Sequence, residues 1–389
     1  MAYISSNDNR FYVALEQNYG SVAAISNGNR IPAIKLTTRQ RPQTTQRKDK
    51  TGSRTFPGLP ANLRKDTLFN LRTYMTSWAD QTAAPVYGPL FEACLGATPL
   101  LWSGATAVSI SDGARISFAA PHGLVTGQAV SSATEIRFVA ATVDDHTVQL
   151  NAPFNAPPTS NSPAGPTITY RPALDLNSVS IFDYWSPGSS VQRILSGAAV
   201  NRMKVNVNGD YHEFEFSGPA CDVVDSSSFA AGDATLTSFP VEPELSGTEY
   251  PIIPGHLGQM WLGSTPNQFF TITKADLTFE NALDLRGREF GATLPRAISP
   301  GMRSVTLDFS LYQDDQAATR ALYQAARQRS PINVMIQLGQ QQRQLFGIYL
   351  QAVILEVPEF DDTEKRQQWQ FQNCRAQGSV DDELFLAFA

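Results

Sequence analysis

Few residues in this sequence could do chemistry, and each has a plain structural alternative. Four histidines are present, His122, His146, His212 and His256. None stands four residues from another, and none lies beside a cysteine or acidic cluster at metal spacing. They are expected to be surface or turn residues. The three cysteines, Cys94, Cys221 and Cys374, lie more than a hundred residues apart. An odd count at such distances fits neither a disulfide framework nor a zinc site, so they read as buried free thiols. No G-x-S-x-G, Walker-type glycine loop or dinucleotide fingerprint occurs.

Two acidic features invite a catalytic reading. Glu213 and Glu215 alternate with Phe214 and Phe216, which puts both carboxylates on one strand face, ~6.5–7 Å apart. Glycoside hydrolysis uses carboxyl pairs about 5–10 Å apart. The same alternation describes a strand with one wet face, and that reading is preferred. Asp381, Asp382 and Glu383 precede an apolar end, 384–388. They are expected to form a solvated turn before a last strand, with an electrostatic contact as the alternative. The sequence therefore offers no catalytic, cofactor or metal residue.

Charge is more informative. The chain carries −6 overall, yet Arg39, Arg41, Arg47, Lys48, Lys50, Arg54, Arg64 and Lys65 stand against a single acid, Asp49. That segment carries +7 and the remainder −13, the asymmetry of a basic arm with an acidic partner. Nucleic-acid binding would rest on phosphate neutralisation. Phe56 is the one aromatic residue between 39 and 65, which leaves little for base stacking. Docking onto protein is the better reading, since a polar loop of this length in a compact domain is usually functional.

The elements that must position these residues are mostly strands. Period-two alternation with strand-forming residues marks 67–78, 200–208, 214–216, 269–279, 305–311, 332–338, 348–357 and 369–371. Only 314–328, with acids at its start and Arg near its end, and 88–95, closed by Gly96, favour helix. The order then repeats. A strand (67–78), helix (89–95), strand (178–185), long strand (198–208) and aromatic strand (211–217) parallel 304–312, 316–328, 331–338, 346–357 and 367–373. Residues 30–38 match 272–279 in pattern, and each is followed by an irregular stretch of about 25 residues.

Residues 98–171 have no counterpart. Their own strand pattern (107–110, 114–118, 129–130, 135–143, 148–150) and the proline-rich stretch 152–166 read as an inserted small β-domain. Removing it leaves two halves of ordinary domain size. The expected organisation is a first unit in two pieces, 1–97 and 172–245, interrupted by 98–171, and a second unit, 246–389. No stretch approaches the ~18 apolar residues of a membrane span. The N-terminus lacks a signal-peptide pattern, so folding in a cytoplasm is expected.

Several stretches carry a family resemblance: Ser53-Arg-Thr-Phe-Pro-Gly58, the strand 66–78, Pro85-Val-Tyr-Gly-Pro-Leu-Phe-Glu-Ala-Cys-Leu-Gly96, Ser196-Gly-Ala-Ala-Val-Asn-Arg-Met-Lys-Val205 with Phe214-Glu-Phe-Ser-Gly218, and the run from Ile298-Ser-Pro-Gly301 through Asp382-Glu383-Leu384. Together they resemble the tail tube (major tail) proteins of long-tailed, non-contractile bacteriophages, over nearly everything except 98–171. The resemblance implies a mainly β fold of two tandem sandwich or barrel units, each with one flanking helix. It implies a structural virion protein with no enzyme activity or cofactor, assembled in the host cytoplasm into stacked rings. DNA would pass through the lumen without specific binding or membrane insertion.

Two units per chain imply a ring of three chains with pseudo-six-fold symmetry, with six chains as the alternative. Other tail proteins, such as the tape measure, tail terminator and distal tail protein, are implied partners. The loops 39–66 and 281–303 are the expected stacking arms, with the eight basic residues as inter-ring contacts. The insertion is expected on the exterior. The competing classes are a virion-associated β-rich hydrolase and a receptor- or glycan-binding adhesin. A contractile-tail or secretion-type inner tube is disfavoured by the duplicated length.

Overall fold

The computed structural model describes residues 3–44, 48–56, 58, 63–111, 114–156, 158–159, 161–245 and 251–389, apart from the side chains of 108, 110 and 111. Within these residues the protein is mainly β, with two α-helices, α1 (Gly88–Leu95) and α2 (Ala317–Gln328). A large sheet of fifteen strands is joined by one of five and one of six.

Alternation builds the large sheet. In Lys65–Tyr74, Thr67, Phe69, Leu71 and Thr73 are buried while Leu68 and Arg72 face out. Ser304–Tyr312 repeats this with Val305, Leu307, Phe309 and Leu311 inward. Buried Leu71, Phe216, Met203, Phe279 and Val305 stand in one cross-strand row, which half-buried Leu36 extends.

The two halves pair their strands in the same order. In the first, Ala33–Pro42 pairs with Lys65–Tyr74, which pairs with Glu213–Ala220, which pairs with Arg202–Val207. Arg193–Ala198 pairs with Val179–Trp185, which pairs with Asn9–Leu15. In the second, Ile272–Glu280 pairs with Ser304–Tyr312, then come Gln368–Gln377, Phe346–Ile354, Ile332–Leu338 and Gly258–Gly263. The halves meet edge to edge, where Arg202–Val207 runs antiparallel to Ile272–Glu280 from Arg202↔Glu280 to Val207↔Ala275.

The sequence reading of one long strand at 198–208 is corrected, because the chain leaves the ladder after Ala198 and re-enters it at Arg202. The break lets the first piece join the five-stranded sheet and the second join the large one. Asn9–Leu15 and Gly258–Gly263 escaped the period-two reading. Their buried residues run consecutively, Phe11 to Ala14 and Met260 to Leu262, because both faces are covered.

The six-stranded sheet lies within the insertion, around Ile116, Phe118, Val130, Val139 and Val148. Leu100–Trp102 and Thr167–Tyr170 flank it and pair with each other. Thr167–Tyr170 also pairs with Phe385–Phe388, which adds to Phe346–Ile354. Phe138 stacks on Tyr349 with ring centroids 5.5 Å apart. Two glycines permit this seat. A Cβ on Gly347 would lie 2.8 Å from the Phe138 ring, and one on Gly127, at φ 84°, would lie 2.1 Å from the Phe385 ring.

Candidate assembly surfaces

From Ala33–Pro42 across to Gln368–Gln377, the outward face of the large sheet is mainly polar. One row runs Lys35, Arg72, Glu215, Lys204, Thr278, Thr306 and Arg375, and the next runs Thr37, Asn70, Ser217, Arg202, Glu280 and Ser304. Cations meet acids along it. Arg72 pairs with Glu213, Lys204 lies 3.6 Å from Asp276, and Lys274 lies 2.9 Å from the same carboxylate. Asn70 donates to Glu215 at 2.5 Å. Glu213 and Glu215 thus share one face, as their spacing predicts. Each is engaged by a neighbouring strand, Glu213 by Arg72 and Glu215 by Asn70. Asp276 was missed in the sequence, although its alternation with Ala275 and Leu277 marks the wet face.

The sheet has two free edges that matter. Among the described residues, Ala33–Pro42 is paired on one side only, with Lys65–Tyr74. Glu359–Asp361 is likewise paired on one side only, with Gln368–Gln377. The first strand carries Lys35, Arg39 and Arg41 and no acid. Around the second, residues 356–364 carry Glu356, Glu359, Asp361, Asp362 and Glu364 and no cation. That acidic run is legible in the sequence, but nothing local shows that it lies on an edge.

The eight basic residues separate into three settings. Arg39 and Arg41 are exposed on the edge strand Ala33–Pro42. Lys48, Lys50 and Arg54 are exposed on the loop beyond it, while Arg47 lies outside the described residues. Arg64 and Lys65 are taken up within the chain. Arg64 donates to the carbonyls of Glu289 at 2.9 Å and of Arg288 and Ala292 at 3.3 Å. Lys65 lies 3.7 Å from Asp222. The base of the first long loop is therefore fastened to the second, 281–303.

The remaining candidates serve the fold. His122 and His212 are buried, which corrects the surface reading for these two. The His122 ring bonds the Leu124 N–H at 2.8 Å and the Asp144 carbonyl at 3.0 Å. His212 Nε2 lies 2.8 Å from the Leu257 carbonyl. Burial holds the His212 imidazole below the ordinary histidine pKa. All three cysteines are free and buried. Burial pushes the Cys94 thiol up, and pushes Cys221 and Cys374 up to about 12.

The acids before the last strand are an electrostatic contact, which corrects the solvated-turn reading: Arg303 pairs with both Asp381 and Glu383 and donates to the Ala173 carbonyl at 2.8 Å. Among the described residues no group of three His, Cys, Asp or Glu side chains forms a metal site, and no helix is long and apolar enough to cross a membrane.

No family model matches the chain, and no curated protein matches it. Among solved structures, the SPP1 tail tube, determined by solid-state NMR and cryo-EM, is similar over 33% of this chain and 81% of that chain. The sequence identity is 13% and the TM-score 0.27, a likeness too slight to carry weight for fold or function.

Proposed function

We propose that this chain is a structural subunit of a phage tail tube, polymerising into rings that stack into a conduit for DNA. The observation that carries the reading is the repeated strand order, with the two halves already joined edge to edge in one chain. A sheet that continues from one unit to the next and still ends in free strands closes naturally into a ring, which pairs every edge. Residues 1–97 with 172–245 form one unit and 246–389 the other, so three chains supply six near-equivalent positions. A ring of this kind needs a head-to-tail interface, and stacking needs a second one.

The polar sheet face lines the channel in this reading. Its cations stand beside carboxylates, so the wall presents no continuous basic stripe to hold a passing polyanion. The insertion packs on Trp261, Met335, Tyr349 and Phe385, at the other end of the large sheet from Ala33–Pro42, and belongs on the exterior. The exposed loop with Lys48, Lys50 and Arg54 reaches the adjacent ring.

Electron microscopy of the concentrated protein tests this. Rings or tubes with an open axial channel are expected. A protein that stays monomeric at high concentration and across ionic strengths would contradict the proposal.

A further inference from the structure

The junction between the halves is a template for a contact the single chain leaves unmade. Asn206 stands opposite Glu213 in the first half, and Asp361 stands opposite Gln368 in the second. The equivalent hairpins therefore align 202–207 with 357–362. Lys35 stands opposite Arg72 and Lys274 opposite Ser310, and those partners stand opposite Glu215 and Gln370. This aligns 36–41 with 275–280. In the first half, 202–207 is covered by 275–280. Among the described residues its counterpart, 357–362, has no such cover, and the strand that would supply it, 36–41, stands free at the far end of the sheet.

We infer that the free edge of Ala33–Pro42 pairs antiparallel with residues 357–362 of a second copy of this chain, in the register of the internal junction. This deepens the self-assembly proposed above and rests on it. The register sets Arg41 opposite Val357, Arg39 opposite Glu359, Thr38 opposite Phe360 and Thr37 opposite Asp361. Charge agrees with it, since the basic edge meets the acidic one with Arg39 facing Glu359. Glu356 pairs with Arg329 within the chain, but among the described residues Arg39, Arg41 and Glu359 form no ion pair.

Burial agrees as well. Val205 and Leu277, paired at the internal junction, are fully buried. Their counterparts are Phe360, 55% exposed, and Thr38, half-buried. The Phe360 ring already rests on Trp369 and Tyr323, and more than half of it is left for a further contact. Pro358 has no N–H to give. It shortens the ladder and guards the edge against indiscriminate strands, leaving charge to fix the register. In this assignment Arg39 and Arg41 serve the contact within a ring, and only the loop cations remain for stacking.

Cysteine pairs read the register. A Thr37→Cys, Asp361→Cys chain should form a disulfide between copies under mild oxidation, giving linked dimers and a closed multi-chain species on a non-reducing gel. Thr38→Cys with Asp361→Cys, one residue out of frame, points the two thiols to opposite faces and should not. Arg39→Glu or Glu359→Arg alone should raise the concentration needed for assembly about tenfold, and the double exchange should restore it. Several results overturn the inference: a bond within one chain, a bond in the wrong frame, or assembly indifferent to the charge exchanges. Channel-bearing rings without the 37–361 bond would overturn this pairing and leave the tube proposal standing. A wild-type chain that never associates would sink both.

Discussion

The two helices occupy equivalent places in the two halves and have opposite surroundings. In α1, Leu90, Phe91, Ala93, Cys94 and Leu95 are all fully buried, whereas α2 buries only Thr319, Leu322 and Ala326. Phe91 lies within about one ring width of Phe214, Phe216, Tyr170, Phe346 and Phe388, with centroids 5.0 to 5.7 Å away. Two of those rings, Phe346 and Phe388, come from the second half. Rings from the later half of the chain thus help to bury α1, while half of the residues of α2 stay exposed.

The outer sheet faces differ in the same spirit. In the first half Tyr12, Phe182, Tyr184 and Ile194 are covered by nearby segments carrying Val22, Ile25, Leu236 and Phe239. In the second half Trp261, Met335 and Tyr349 are covered by the insertion. One strand order has been closed off by two unrelated pieces of chain, so pairing is the repeated part and the covering is not.

Substitutions can break or sharpen that comparison. The largest effect is expected for Phe91→Ala, which opens a cavity among rings from both halves and should cost about 3–5 kcal/mol in denaturant unfolding. If the halves depend on each other as described, both should unfold in one transition. Arg137→Ala should follow closely. Its guanidinium is fully buried, 2.6 Å from Glu135 and 3.1 Å from Gln337, and lies over the Phe154 and Trp261 rings. Removing it leaves Glu135 buried without its cation, a loss of about 3–5 kcal/mol, and should loosen the insertion first, detectable by limited proteolysis. On the wet face of α2, Gln324→Ala should change stability by no more than about 0.5 kcal/mol.

A smaller effect concerns pH. Because burial lowers the His212 pKa, the unfolded chain takes up the proton first as pH falls. Stability is complete above the ordinary histidine range and declines as pH drops through and below it. The second ring nitrogen, Nδ1, is buried without a partner, so charging it has nothing to accept the new proton. His212→Gln should flatten the acid limb of a plot of stability against pH. Last, reversing Arg47, Lys48 and Lys50 to Glu should leave unfolding unchanged and weaken only the stacking of rings, visible as shorter tubes.

Much of this was legible where one face of a strand is wet. Lys65–Tyr74 and Ser304–Tyr312 show themselves through alternation, and α1 is bounded by Gly96. Strands covered on both faces, such as Asn9–Leu15, lose that signal. The seat of the insertion was invisible, since Phe138, Trp261 and Tyr349 meet only through the fold. Likewise Glu213 finds its partner, Arg72, on a strand 141 positions away, which removes a carboxylate that spacing alone made look available. The basic arm was evident from composition, but its division into an edge strand, an exposed loop and an internally bonded base required the pairing register.

The central claim is that one chain supplies two equivalent positions in a ring. Cryo-electron microscopy of end-on assemblies, with rotational symmetry determined rather than imposed, addresses it directly. The account predicts three chains and six near-equivalent lobes around an open channel, with 33–42 of each chain beside 357–362 of the next. A ring of six chains, each contributing a single lobe, would contradict it.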